Sequence, residues 1–130
     1  MTPQTDILTE ARPFVVLVDD DPALANALEF SLGLEGFDVH AYRDGEALLA
    51  GRPLPLRGCL VVDYNLPGMD GLALLERLRL ADVHLPAILI TTNPRQNLRL
   101  RAAAAGVPIV EKPLLTDALL TSVREALGSA

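Results

Sequence analysis

Apolar residues in this chain fall into short runs rich in valine, leucine and isoleucine, and each run gives way to a stretch with helical spacing. Phe14–Val18 leads straight into Asp19-Asp20-Asp21-Pro22. Such a run is too short for a helix and suits a strand buried on both faces. Asp21 before Pro22 reads as an N-cap followed by the first helical position. A helix is therefore predicted from there to about Leu34, stopping near Gly36. Phe37–Ala41 predicts a second strand, and Asp44 caps a short helix through about Ala50, ended by Pro53 and Pro55. Cys59–Val62 is a third apolar run, and Asp63 ends it. Asn65, Pro67, Gly68 and Gly71 then break regular structure, with Asp70 as N-cap of the amphipathic stretch Leu72–Leu80. Ala87–Ile90 is a fourth strand, followed by Thr91-Thr92-Asn93-Pro94. Asn93 before Pro94 repeats the cap-then-proline signal, predicting a helix from Pro94 to Ala105 with Gly106 at its C-terminal cap. Ile109 and Val110 form a very short last strand before Glu111-Lys112-Pro113, and Thr116 caps a final helix from Asp117 to about Leu127.

Strand and helix thus alternate along the whole chain. Apolar strands joined by helical crossovers give an α/β domain, a doubly wound parallel sheet with helices on both faces. At 130 residues the chain is expected to form one domain over residues 13–130, preceded by a polar tail over 1–12. The first helix has more apolar surface than one core-facing stripe requires. Leu24, Leu28, Ser31, Leu32 and Glu35 form one band, and Ala23, Ala27, Phe30 and Leu34 form another beside it. Either a neighbouring helix covers the excess, or the second band is a docking surface for a partner.

Charge and composition narrow the function classes. The net charge is −6, with 17 acidic and 11 basic residues, which argues against nucleic acid as a partner. Arg95, Arg99 and Arg101 cluster, as on a solvated helix face. No apolar run approaches the ~18 residues of a membrane span, and the start of the chain is not built like a signal peptide. A cytoplasmic protein without membrane attachment is the expectation. Cys59 is the single cysteine, which excludes an internal disulfide and a cysteine zinc site, and its place in a strand marks a packed thiol. His40 and His84 are the two histidines, and both read as ordinary surface or strand-edge residues.

The chemistry lies at the strand ends. The first strand delivers Asp19 and Asp20, the third Asp63, the fourth Thr91 and the last Lys112. In an open α/β sheet these ends meet at one edge, near the topological switch point. Carboxylates gathered there repel, by roughly 4 kcal/mol for a pair ~4 Å apart at an effective dielectric of about 20. An all-oxygen site of this kind favours Mg²⁺. With Lys112 as a fixed cation and Thr91 as a hydroxyl, the edge is suited to holding phosphoryl oxygens, and Asp63 is the carboxylate left to attack phosphorus.

Taken together, Val-Leu-Val-Asp19-Asp20-Asp-Pro, Val-Val-Asp63-Tyr-Asn65-Leu-Pro-Gly-Met-Asp-Gly, Ile-Leu-Ile-Thr91 and Glu-Lys112-Pro113 resemble the receiver domains of two-component response regulators. The likeness is to the single-domain, chemotaxis-regulator-like kind, and it extends from about Phe14 to Leu127. It implies a flavodoxin-like, five-stranded sheet of strand order 2-1-3-4-5. It implies phosphorylation of Asp63 by a sensor histidine kinase or a phosphotransfer histidine. The kinase or phosphotransfer protein is expected to dock on the first helix at Ala23, Ala27, Phe30 and Leu34. Mg²⁺ would be held by Asp20, Asp63 and the backbone carbonyl of Asn65, with Asp19 acting through water. Lys112 would pair with the phosphoryl group, and the Lys112–Pro113 bond would be cis. Asn65 and Asn93 occupy the positions that tune phosphoryl lifetime in the family. Such a protein is not an enzyme in the ordinary sense, since it catalyses only its own phosphorylation and dephosphorylation. It signals through phosphorylation-dependent binding of a downstream protein, or by phosphorelay.

Three positions depart from the family pattern. Ile109 stands where an aromatic residue usually sits, Thr92 replaces a small residue after the threonine, and the segment from Gly106 to Lys112 looks one residue short and contains Pro108. They bear on switching more than on acceptor chemistry. They leave open a receiver-like interaction module that is not regulated by phosphorylation. A haloacid-dehalogenase-like phosphatase, suggested by Asp19 and Asp21 with Thr91 and Lys112, leaves the Asp63 loop unexplained.

Overall fold

The computed structural model describes residues 13–51, 57–112 and 118–128. Five parallel strands form one sheet: β1 (Phe14–Val18), β2 (Asp38–Tyr42), β3 (Gly58–Asp63), β4 (Ala87–Thr91) and β5 (Ile109–Glu111), in the order β2-β1-β3-β4-β5. The helices are α1 (Pro22–Leu34), α2 (Gly45–Ala50), α3 (Gly71–Leu80), α4 (Gln96–Ala104) and α5 (Ala118–Gly128). The chain order reverses between β1 and β3, so the C-terminal ends of those two strands flank the crevice of a doubly wound sheet. Pro53, Pro55, Pro113, Thr116 and Asp117 lie outside the described residues, as does the Lys112–Pro113 bond and the tail at 1–12.

The alternation of side chains along the strands sorts the core into two layers. Val15, Leu17, Cys59, Val61, Ile88, Ile90 and Val110 pack against Leu28 and Leu32 of α1 and Leu119 and Val123 of α5. Val16, Val18, Leu60, Val62 and Leu89 face α2, α3 and α4 through Leu48, Leu72, Leu75, Leu78, Leu98 and Ala102. Cys59 belongs to the first layer, and burial pushes its thiol up to about 12, so it is inert packing.

The cap residues set the helix starts. Asp21 accepts from the amides of Ala23 and Leu24, Asp44 from Ala47, and Asp70 from Ala73. The predicted start of α4 is corrected. Asn93 is not its N-cap: the residue sits in the left-handed region at φ 50°, and the helix begins at Gln96 after Arg95, which makes no side-chain cap bond. Proline at 94 sets its own φ but does not oblige the helix to begin there, and the turn needed to leave β4 takes two more residues. At the other end the glycine reading holds. Gly106, at φ +72°, lets its own amide reach Ala103 O and the amide of Val107 reach Ala102 O, closing the helix.

On α1 the excess apolar band stays bare. Leu28 and Leu32 are buried, whereas Ala23 and Ala27 are exposed and Phe30 and Leu34 are 70% and 72% exposed. A covering helix within the described fold is therefore not the explanation of this band.

Candidate functional site

Each site residue stands at the end of a strand or one step beyond it. Asp19 follows β1, Asp63 ends β3, Thr91 ends β4 and Lys112 follows β5. Backbone bonds fix these ends against one another. The Tyr64 amide donates to Ile90 O at 2.9 Å, and the Lys112 amide donates to Thr91 O at 2.7 Å. The loop after Asp63 folds back tightly because Gly71 brings its amide to Tyr64 O at 2.8 Å. A Cβ at Gly71 would lie 2.5 Å from Asp63 O and 2.9 Å from a Leu89 methyl, so only glycine fits this approach.

The convergence expected from the sequence is present. Carboxylate oxygens of Asp19, Asp20 and Asp63 all lie within 4.8 Å of one another. Asp19 and Asp63 are buried and Asp20 is exposed, so the cluster opens to solvent on the Asp20 side. Lys112 Nζ donates to Asp63 Oδ2 at 3.0 Å and stands 3.7 Å from Asp19 Oδ2. The amide of Asn65 donates to Asp63 Oδ1 at 3.1 Å, and the amide of Asp21 to Asp19 Oδ1 at 2.9 Å.

Electrostatics here is unbalanced. Burial raises the pKa of Asp19; the Asp21 amide and Lys112 work against this, while Asp63 and Asp20 add to it, and the outcome is upward. For Lys112 burial acts to lower the pKa, but the hydrogen bond to Asp63 and the charges of Asp63, Asp19 and Asp20 outweigh it, and the ammonium is held. Asp19 Oδ2 is a buried oxygen with no hydrogen-bond partner among the described residues. A buried, unsatisfied carboxylate oxygen inside an all-oxygen cluster is a position a hard cation would satisfy, so the residues present fit Mg²⁺.

Beside Asp63 lies a cleft of about 300 Å³ lined by Tyr64, Asn65, Thr91, Thr92, Asn93, Arg95 and Asn97, among others. It brings Asn65, Thr92 and Asn93 to one place, whereas the capping role read for Asn93 from the sequence assigns that side chain to the helix. Tyr64 and Asn97 were not singled out from sequence, and Arg95, read there as part of a solvated helix face, stands at the N-cap position in the loop that follows Thr91. Ile109 stands apart, half-buried against the α4 side of the core.

A parallel sheet of this order with an acidic pocket and a lysine at its switch point defines a class, the receiver domains. The chain belongs to the response regulator receiver domain family, which it matches over residues 15–124. It is 40% identical over 119 residues to the C4-dicarboxylate transport transcriptional regulatory protein DctD of Pseudomonas aeruginosa, covering 91% of this chain and 26% of that protein. The chain therefore spans about a quarter of the length of that relative. Its fold superposes on the crystal structure of FixJ-N with a TM-score of 0.81 at 30% identity, covering 91% of this chain and 95% of the other. A CheY-like receiver domain protein from Methanospirillum hungatei shares the fold, with a TM-score of 0.83 at 24% identity over 92% of this chain and 96% of its own. Among the described residues no helix is long and apolar enough to cross a membrane.

Proposed function

We propose that this receiver is a phospho-acceptor, with Asp63 taking a phosphoryl group from a histidine kinase or a phosphotransfer histidine. The observation that carries the reading is the setting of Asp63: buried, its two oxygens held by Lys112 and by the Asn65 amide, with Asp19 and Asp20 beside it. A carboxylate so held is oriented before the reaction begins. One of its oxygens forms the new O–P bond as the P–N bond of the donor phosphoimidazole breaks. The imidazole nitrogen keeps that bond's electron pair and takes up a proton. Lys112 stands ready to pair with a phosphoryl oxygen, and the Thr91 hydroxyl to donate to another.

Asp19, Asp20, Asp63 and the carbonyl of Asn65 are the groups that would hold Mg²⁺, which when bound supplies positive charge against the phosphoryl oxygens. The protein is then no enzyme toward other substrates, and acts only on its own phosphorylation state. The bare band on α1, at Ala23, Ala27, Phe30 and Leu34, is where a sensor kinase or phosphotransfer protein docks, next to the acidic edge from which α1 starts. The phosphorylated form signals to a downstream protein or passes the group on, within the cytoplasm.

The test is direct. With Mg²⁺ and phosphoramidate or acetyl phosphate the protein gains one acid-stable, base-labile phosphoryl group, and Asp63→Asn does not. Undiminished labelling of Asp63→Asn would remove the assignment. A wild-type protein that takes no label yet binds its partner would favour the unphosphorylated interaction module.

A further inference from the structure

Helix α4 is unevenly fastened. Only Leu98 and Ala102 bury it against the core. Its C-terminal end is closed by the Gly106 turn, and Arg79 of α3 donates from Nη1 to Ala105 O at 2.8 Å. At its N-terminal end the cap residue Arg95 makes no side-chain bond, although the Leu98 amide donates to Asn97 Oδ1 at 2.9 Å, and the turn before it holds Asn93 at a left-handed φ of 50°. On the β5 side a groove of about 430 Å³ lies beside the C-terminal half of the helix, lined by Arg99, Ala102, Ala103, Val107 and Ile109 among others.

One bond crosses from the helix to the strand. Arg99 Nη2 donates to Glu111 Oε2 at 2.8 Å. Glu111 is the register partner of Thr91, and the next residue, Lys112, carries both the backbone bond to Thr91 O and the ammonium on Asp63. The Arg99–Glu111 pair therefore ties the middle of α4, next to buried Leu98, to the strand residue that lies between two site groups.

We propose that Arg99 and Glu111 form a latch that holds α4 in its resting position and couples that position to the state of Asp63. The proposal rests on the phospho-acceptor reading for its trigger. A phosphoryl group on Asp63 draws Lys112 and Thr91 toward its oxygens. Both are bonded through the backbone next to Glu111, so the Glu111 carboxylate shifts relative to Arg99 and the latch loosens. Coupling of this kind is reciprocal, so loosening the latch by mutation favours phosphorylation. The pair is about half exposed, at 51% and 50%, so it biases the helix rather than locking it. An exposed pair shifts an equilibrium about two- to five-fold.

Hydrogen exchange on the unphosphorylated protein reads the latch without reference to Asp63. In Arg99→Gln the amides of the N-terminal half of α4 should exchange about two- to five-fold faster, with those of α3 unchanged. Glu111→Gln should do the same, and serves alone if Arg99→Gln does not fold. The charge-reversed double variant Arg99→Glu with Glu111→Arg should bring exchange back toward wild type. The phosphorylated fraction reached at equilibrium with phosphoramidate and Mg²⁺ should rise in the single variants. Unchanged exchange in both single variants, or a double variant no slower than they are, overturns the latch. Faster exchange with an unchanged phosphorylated fraction at equilibrium overturns its coupling to the site. A wild-type protein that takes no label fails the acceptor reading instead, and leaves the exchange result standing.

Discussion

Lys112 Nζ reaches across 49 residues of sequence to hold Asp63 Oδ2 at 3.0 Å. It is the one cation set within the acidic cluster among the described residues, and its ammonium also stands beside Asp19. Replacing it by Gln leaves the buried carboxylates without compensation. Lys112→Gln should lower metal-free stability by about 1–3 kcal/mol, the usual cost of leaving buried polar groups unpaired, as read by urea unfolding. The raised Lys112 pKa fixes the sign with pH. Its stabilisation is fully present below the unfolded value of 10.5 and is lost as pH rises through the folded value. The gap between wild type and Lys112→Gln should therefore narrow only in strong alkali. A gap that closes at neutral pH would contradict the pairing.

Asp19 behaves in the opposite sense. Its folded pKa is raised from 3.8, chiefly by burial, so its ionised form opposes folding when no metal is present. That penalty is absent below the unfolded pKa and grows as pH rises through the folded one. Asp19→Asn should stabilise the metal-free protein at about pH 7, by about 0.5–2 kcal/mol, and the gain should vanish toward about pH 4. Asp20→Asn should gain less, because Asp20 is exposed. Mg²⁺ should raise the melting temperature of wild type and much less that of either variant. A wild type indifferent to Mg²⁺, or an Asp19→Asn less stable than wild type at pH 7, would count against a strained carboxylate cluster.

The strand ends were legible because each coincides with an abrupt change from buried apolar residues to Asp, Thr or Lys. A parallel order then forces those ends to one edge, so Asp19, Asp63, Thr91 and Lys112 could be placed together without coordinates. The start of α4 was misread because Asn serves two purposes: it caps helices, and it tolerates the left-handed region. Asn93 takes the second role, and local sequence does not distinguish them. The bare band on α1 was visible as surplus apolar surface, but only the three-dimensional fold shows that no neighbour among the described residues covers Phe30 and Leu34. Bonds such as Arg79 to Ala105 O, or Arg99 to Glu111, leave no trace in sequence, since they depend on how neighbouring elements pack.

Freed from capping, Asn93 lines the same cleft as Asn65. Both amides are then available to bind water near a phosphoryl group on Asp63. Loss of either side chain should change the dephosphorylation rate about two- to ten-fold, the worth of one hydrogen bond of ~0.5–1.5 kcal/mol. Asn65→Ala is a fair probe of the first. For the second the probe should be Asn93→Gly, because alanine would add strain at φ 50° while glycine keeps the backbone and removes the amide. A rate moved by Asn65→Ala and untouched by Asn93→Gly would show that Asn93 serves the turn alone.

How the signal leaves the site turns on Thr91 and Ile109. Thr91 is buried at the end of β4, and in the phospho-acceptor reading its hydroxyl donates to a new phosphoryl oxygen. Movement of Thr91 carries the Thr91–Pro94 loop with it, and through that loop the uncapped start of α4. Ile109 is half-buried against the core layer that contains Leu98, Ala102 and Val107. Branched at Cβ and without a polar tip, it has little to gain from a rotamer swing between interior and solvent. Its truncation to Ala should cost about 1–2 kcal/mol, less than the ~2–5 kcal/mol of a fully buried site, and leave phosphorylation-dependent partner binding largely intact. Thr91→Ala should still accept some phosphoryl group, while binding by the phosphorylated and unphosphorylated forms becomes more alike. The comparison needs only two affinities for each variant, with and without the phosphoryl group. If Ile109→Ala erases the difference between the two forms and Thr91→Ala preserves it, the signal runs through the β5 side chain and not through the loop.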